Sequence, residues 1–453
     1  MLKINVLILL ILSNISLRSQ ESLSLSDAIQ TGLSNNYDIL IEQGNVESSQ
    51  LNNSWGEAGR LPTVRLNVNQ NNSLTDNVKV AFPTATRGET LVNNVAPGIT
   101  LDWTLFNGFK INITKERLAA LQQESEGNAA VVMSNTIQAI ILGYYKAIIE
   151  KEKLTEFQKQ LDLSRDKYEY TQLKKEIGSS VSTDLLLEEG NYLTDSTNYL
   201  NQQLTLRNAV RDLNVLLGEE DVTKEYLFAE DLSQFKIETY DLADLTQRLN
   251  DDNVDLRKQY ISQSILSHDI RLRKADRMPT LTLNSGFNDN RQRLDLSNAI
   301  FFTGEGFTQG PNEALNSVTD TYFVNFTLAF TLFDGGKINR AIKNAQIQED
   351  IGNLRAEQLK NSLLRDLVRS YDQYNIRTSL FQINARREEA AEVNLDISQD
   401  KFQTGVINSF DFRTIQNTYL SASIQKLQSL YDVIDSKVSL MRLTGGIIET
   451  YNR

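Results

Sequence analysis

The chain has 453 residues, of which 40% are hydrophobic, and its 46 Lys and Arg stand against 58 Asp and Glu for a formal net charge of −12. An acidic chain without clustered cations argues against nucleic acid as a partner, because phosphate contacts need Lys and Arg. The sequence has no cysteine and one histidine, His268, which excludes disulfides and thiolate metal sites and argues against His- or Cys-based catalysis.

Lys3, the apolar run 4–12 and the small residue Ser19 predict a secretory signal peptide over 1–19. The run falls well short of the ~20 residues that cross a bilayer. No other segment approaches a transmembrane helix. If the exported chain enters a membrane, it must do so as strands closed into a barrel.

From Ser26, read as an N-cap, to Gly59 the pattern predicts a helix ended by Pro62. A strand follows at about 63–72, with Val64, Leu66 and Val68 on one face and Arg65, Asn67 and Asn69 on the other. A second, at about 97–106, sets Ile99, Leu101, Trp103 and Leu105 against Thr100, Asp102 and Thr104. Next comes a proline-free helical run from Asn112 to Ile177, a break at Gly178, and a return helix with Ser182 or Thr183 as cap and Gly218 as its end. The acid-rich segment 219–244 reads as a short packed connection.

The second half repeats the plan. Strands are predicted at about 280–289 and 321–333, the latter with Tyr322, Val324, Phe326, Leu328, Phe330 and Leu332 on one side. Alternation of this kind suits a strand between lipid and water, and equally a soluble sheet with one packed face. Asn339 to Thr404 is again helical and free of proline. Some 65 residues at ~1.5 Å each make a rod of roughly 100 Å, whose natural home is a coiled coil. Leu359, Leu363, Leu367, Tyr371 and Tyr374 form its apolar stripe. Gly405 breaks the run, Asn408 or Ser409 caps the return helix, and Gly445 closes it.

The two halves are copies. Thr104-Leu105-Phe106-Asn107-Gly108 returns as Thr331-Leu332-Phe333-Asp334-Gly335, and the offset of 227 also relates Tyr144 to Tyr371, Gly178 to Gly405, Asp184 to Asp411 and Gly218 to Gly445. Upstream the offset is 217, pairing Asn36 with Asn253 and Pro62 with Pro279. Repeat one is assigned to 26–230 and repeat two to 241–449. Four strands per chain are too few to close a barrel, so membrane insertion requires several copies.

The duplicated halves, Leu61-Pro62 and Met278-Pro279 at the strand starts, the Leu-Phe-(Asn/Asp)-Gly-x-Lys motifs and the tip glycines resemble the outer-membrane efflux protein family, the TolC-like channels. The resemblance covers essentially all of the mature chain. It implies an α+β membrane channel: a homotrimer with four strands per protomer in a shared twelve-stranded barrel and a long α-helical coiled-coil tunnel. It also implies residence in the outer membrane of a Gram-negative bacterium, extending into the periplasm. The implied role is the passive export duct of a tripartite efflux or type I secretion system, opened by a periplasmic adaptor and an inner-membrane transporter. No cofactor is implied.

Carried over residue by residue, the resemblance makes Asp184 and Asp411 charge rings at the pore entrance, where the residues alone allow them equally to cap or begin their return helices, and Phe402 a constriction or plain packing. Gly178, Ser179, Ser182, Gly405, Val406 and Ser409 match the adaptor-docking tips, and Trp103, Tyr322, Val324, Phe326, Leu328 and Phe330 the lipid face. Ile407 and Thr414 depart from the arginine and second carboxylate that some members carry, which leaves the closing network open. Acid pairs such as Glu188-Glu189 and Glu388-Glu389, and His268, read as solvated. The competing reading is an exported coiled-coil scaffold or adhesion fibre, for which the row Tyr322–Leu332 would have no use.

Overall fold

The structure, a computed structural model, describes residues 21–81, 84–232, 235–302 and 304–451, so the signal peptide expected at 1–19 lies outside the described residues. Its first elements are β1 (Glu21–Leu23), α1 (Leu25–Asn35), α2 (Tyr37–Asn52), β2 (Thr63–Ala81), β3 (Thr84–Phe106), α3 (Lys110–Glu176) and α4 (Ser182–Leu217). The chain continues through β4 (Tyr226–Phe228), α5 (Leu242–Asp252), α6 (Val254–Ala275), β5 (Thr280–Asp295), β6 (Ala299–Phe302), β7 (Phe307–Gln309) and β8 (Leu315–Ala329). It ends with α7 (Lys337–Gln403), α8 (Ser409–Leu443) and α9 (Gly446–Tyr451). Two compact units result: one of residues 1–46, 124–260 and 355–453, the other of 47–123 and 261–354.

The second unit holds the sheet. Its long strands run in the order β2-β3-β5-β8, all antiparallel, with the short β6 and β7 added beyond β5 on the same edge of β3. Residues opposite one another in an antiparallel ladder share a face, so the register decides which side chains gather. Leu66, Ile99, Phe287 and Tyr322 form one cross-strand row; Trp103, Leu283 and Phe326 form another; Phe106, Leu281 and Leu328 a third. The Phe287 and Tyr322 rings lie 4.7 Å apart. The opposite face is polar. There Arg65 meets Asp102 at 3.3 Å, and the Asn284 amide donates to Asp102 at 2.8 Å.

The apolar face is open: Leu66 is 73% exposed, Tyr322 77% and Leu328 70%. Both outermost long strands, β2 and β8, also keep one edge without a ladder partner among the described residues.

The strands exceed the segments expected from alternation. β2 and β3 run 19 and 23 residues, because they stay paired without interruption from Thr63 opposite Asp102 out to Ala81 opposite Thr84. β8 is displaced instead. It begins at Leu315 and ends at Ala329, so Phe330, expected on the strand, follows its last residue. The cause is the start of α7. Asp334 accepts hydrogen bonds from the Gly336 and Ile338 amides at 2.8 and 2.6 Å, and Gly335 and Gly336 adopt φ of 66° and 78°, which draws the chain off the ladder. In the first half Asn107 accepts from the Ile111 amide at 3.3 Å in the same place.

The other unit is helical, with the small parallel pair β1 and β4. Tyr144, Ile137 and Ile140 of α3, Leu213 and Leu217 of α4, Ile29 of α1 and Ile434 of α8 bury together. A second cluster holds Leu363, Leu367 and Tyr374 of α7 with Leu245, Leu249 and Leu256. The predicted stripe on the second long helix is thus this helix's packed side. The connection 219–244 contributes Tyr226 and Phe228 to the first cluster.

The single helix expected from Ser26 to Gly59 is two helices. Ser24, not Ser26, is the N-cap, in a reciprocal box with Asp27. The chain then breaks at the buried Asn36, whose Nδ2 donates to the Leu216 carbonyl at 2.9 Å and whose Oδ1 accepts from the Asp38 amide at 3.0 Å. Asn253 repeats the arrangement on the Leu443 carbonyl and the Leu256 amide, both at 2.9 Å. Beside each asparagine, the return helix ends at a glycine of positive φ, Gly218 or Gly445, where a Cβ would strike the Asn35 or Asp252 carbonyl. The duplication therefore extends to individual hydrogen bonds. Asn36→Ala leaves a helix-end carbonyl and two amides short of partners, Asn253→Ala a carbonyl and one amide, and each is expected to cost about 1–3 kcal/mol. Thermal unfolding of the detergent-solubilised protein checks this, with Asn35→Ala as the control.

Candidate functional site

The two helix–turn–helix tips are built by the same hydrogen bonds. At the first, the Gly178 amide donates to the Lys175 carbonyl at 3.0 Å and the Ser179 amide to Lys174 at 2.8 Å. At the second, the Gly405 amide donates to Phe402 at 3.1 Å and the Val406 amide to Lys401 at 2.8 Å. Both glycines have φ of 77° and open space where a Cβ would stand, so conformation rather than crowding demands glycine.

The return helices start differently. Asn408 caps α8 by accepting from the Asp411 amide at 2.8 Å. The matching residue of the first half, Val181, offers α4 no side-chain cap, and Ser182 is the first helical residue rather than the cap expected of it. Asp184 and Asp411 both lie exposed in the first turn of their helices, where a carboxylate also suits the helix dipole. Ser180 donates to Asp184 at 3.4 Å. Phe402 stacks on Phe412 at 4.9 Å and 7° and meets Tyr170 edge-on at 6.5 Å. Its ring is thus engaged in packing within the chain.

Just inside the tips lies a buried ionic network that reading by pattern passed over. Glu188, expected on a solvated face, is 1% exposed. It pairs with Lys167 of α3 at 3.2 Å and accepts from the Ser409 hydroxyl. Lys167 also donates to the Ser409 carbonyl at 2.9 Å, and its ammonium lies 5.3 Å from the Phe402 ring and 5.6 Å from that of Phe412. Burial pushes the Lys167 ammonium below the usual lysine range, against the opposing pull of Glu188. One layer further, Arg413 of α8 grips buried Asp195 of α4 with two bonds of 2.6 and 2.8 Å, and Gln160 adds a third at 3.3 Å. Tyr419 donates to Glu156 at 2.9 Å.

None of these charges is duplicated. The positions related by the repeat to Lys167, Glu188, Asp195 and Arg413 carry Asn394, Ile415, Ala422 and Leu186. That mismatch between repeats was the available signal. Glu389 and Glu388 differ in the same way, the former exposed and the latter paired with Lys426 at 2.9 Å. His268, also expected exposed, is half-buried with Nδ1 3.6 Å from Glu116.

Around the tips the single chain exposes Ile177, Val181, Val406 and Phe410, at 79%, 59%, 70% and 72%. The sheet residues Trp103, Tyr322, Val324, Phe326 and Leu328 all lie on the apolar side defined above. No helix among the described residues is long and apolar enough to cross a membrane.

Residues 245–446 match the model of the outer membrane efflux protein family. By this match, by sequence and by fold the chain is similar to the TolC-like outer-membrane channels. It is 22% identical over 365 residues, 79% of its own length and 70% of the relative's, to the outer membrane protein TolC of Salmonella enteritidis. Against TolC of Escherichia coli strain K12 it is 20% identical over 381 residues, covering 78% and 74% of the two chains. The fold matches the solved CmeC outer membrane channel of Campylobacter jejuni with a TM-score of 0.74 at 13% identity, over 93% of this chain and 85% of that one. The relatives are named as outer membrane proteins and the solved structure as an outer membrane channel.

The buried network supplies a sharp test of packing near the tips. Removing one partner of a buried pair strands the other charge, so Asp195→Ala is expected to cost about 3–5 kcal/mol, whereas Asp195→Leu with Arg413→Met costs far less. Thermal unfolding of both variants checks this. Val181→Asn, which restores the missing cap, is expected to slow amide hydrogen exchange over 182–186 by an amount equivalent to about 1 kcal/mol, and Asn408→Ala to speed it over 409–413.

Proposed function

We propose that three copies of this chain form a passive export duct, the outer-membrane component of a tripartite efflux or type I secretion system. The observation that carries the reading is a sheet whose four long strands present one apolar, solvent-open face and, among the described residues, an unpartnered edge at each end. In hydrocarbon an open edge leaves N–H and C=O groups without partners at several kcal/mol each, so a membrane sheet must close. Three chains joined β2 to β8 give an even, antiparallel, twelve-stranded barrel, within the range such barrels adopt. The apolar rows would face lipid and the polar rows, with Arg65, Asp102 and Asn284, the water-filled lumen. A scaffold without a membrane phase would expose those rows to water at a standing cost.

In this reading the helical unit extends into the periplasm as the tunnel, and the tips receive a periplasmic adaptor. The exposed apolar residues Ile177, Val181, Val406 and Phe410 support that role. Asp184 and Asp411, one of each per protomer, would ring the entrance and favour cations. The energy for transport would come from an inner-membrane transporter.

Purified protein in planar bilayers is expected to run as a detergent-requiring trimer and to conduct with cation preference. A soluble monomer or dimer without conductance would sink the duct. Replacing both Asp184 and Asp411 by Ala should shift the reversal potential in a salt gradient towards the non-selective value. An unmoved reversal potential removes the two carboxylates from the pore.

A further inference from the structure

Both tryptophans of the chain, Trp55 and Trp103, line one cleft of about 840 Å³ where β3 passes into α3, together with Arg60, Leu105, Phe109 and Lys115. The turn after α2 builds its wall. The Arg60 amide donates to the Trp55 carbonyl at 2.9 Å, and the Trp103 indole donates to the Arg60 carbonyl at 2.9 Å. The Arg60 guanidinium lies 4.6 Å from the Trp55 ring centre, and the Lys115 ammonium 6.0 Å from the same ring. Neither cation has a carboxylate partner among the described residues. The nearby acid Glu116 is engaged by Arg271. In a chain of net charge −12, this cleft therefore presents two unneutralised cations beside an apolar surface.

A second observation concerns Phe109. It is the one non-glycine residue with positive φ among those described, at 67°, where the other repeat has Gly336 at 78°. An aromatic residue in the left-handed region costs about 1–2 kcal/mol. The strain keeps a ring 60% exposed at the cleft, edge-on to Phe106 at 5.3 Å. The edge-on contact with Phe106 is small recompense for holding a ring that exposed at that cost.

We infer that the cleft binds the phosphate and glycerol end of a membrane phospholipid, with Arg60 and Lys115 pairing the phosphodiester. Trp55, Trp103 and Phe109 embrace the glycerol ester region, and the acyl chains run along Leu105, Trp103 and the rest of the apolar face of β3. Indole rings favour the water–lipid boundary because one edge donates a hydrogen bond while the body is apolar. Guanidinium and ammonium groups supply the anion contacts. The inference rests on the proposed lipid-facing orientation of β3. It adds a bound lipid to what would otherwise be bulk solvation of a barrel.

The chain's own fluorescence reads the site, since it has no tryptophan elsewhere. Detergent-solubilised trimer is titrated with phosphatidylglycerol brominated on its acyl chains, with brominated diacylglycerol as the phosphate-free comparison. Saturable quenching is expected, with half-saturation at a mole fraction at least tenfold lower for the phospholipid. Arg60→Gln with Lys115→Gln is expected to remove that difference, and Arg60→Lys with Lys115→Arg to restore it. The wild-type comparison of the two lipids stands even where the variant fails to fold. Equal half-saturation for both lipids, or displacement of the brominated phospholipid by inorganic phosphate at equal concentration, overturns the lipid site. If the wild type conducts in bilayers in that case, the duct stands without the lipid. Absence of both quenching and conductance overturns both.

Discussion

A backbone amide cannot be left bare in hydrocarbon, and this constraint organises the chain. The sheet satisfies its interior strands by itself and leaves the outer edges of β2 and β8 unsatisfied. In the proposed function, further copies of the chain close those edges. Hairpin pairing sets the polarity of the flank residue by residue. One step of slip between β3 and β5 would bring Trp103 opposite Thr282 or Asn284 instead of Leu283 and scramble both faces. The bulge between Thr104 and Phe106 falls at the end of β3 that leads into α3.

The helical unit shows how far a duplication is kept and where it is relaxed. Asn36 and Asn253 tie the ends of the return helices with matching bonds, and Gly178 and Gly405 make identical turns. Those features answer backbone needs that both copies share. The ionic network of Lys167, Glu188, Asp195 and Arg413 answers none of them and occurs once. Buried charges stabilise weakly against apolar alternatives, while each must find its own partner. They are therefore suited to fixing which helix packs on which, in a bundle whose four long helices are otherwise alike.

Phe109 illustrates the same relaxation on the sheet side. Its counterpart Gly336 meets the turn's dihedral demand without strain, yet the first copy accepts an aromatic ring there. The substitution belongs with the local enrichment of both tryptophans, Arg60 and Lys115, at one end of one strand. One repeat has specialised where the other remained generic.

Alternation in Val64–Val68 and Tyr322–Leu328, the long proline-free runs and the paired glycines were all readable from the residues alone, because strand and helix periodicity are local properties. So was the duplication, which carried the family resemblance. Other features were decided only by tertiary contact. Ser24 replaced Ser26 as the cap because its box with Asp27 closes there, and β8 ended before Phe330 because Asp334 captures amides of the next helix. Glu188 reads as half of a solvated acid pair until α3 brings Lys167 beneath it from 21 residues away. Periodicity reports which face a residue occupies on its own element; which neighbour meets that face depends on chain segments distant in sequence, and there the residue string by itself is silent.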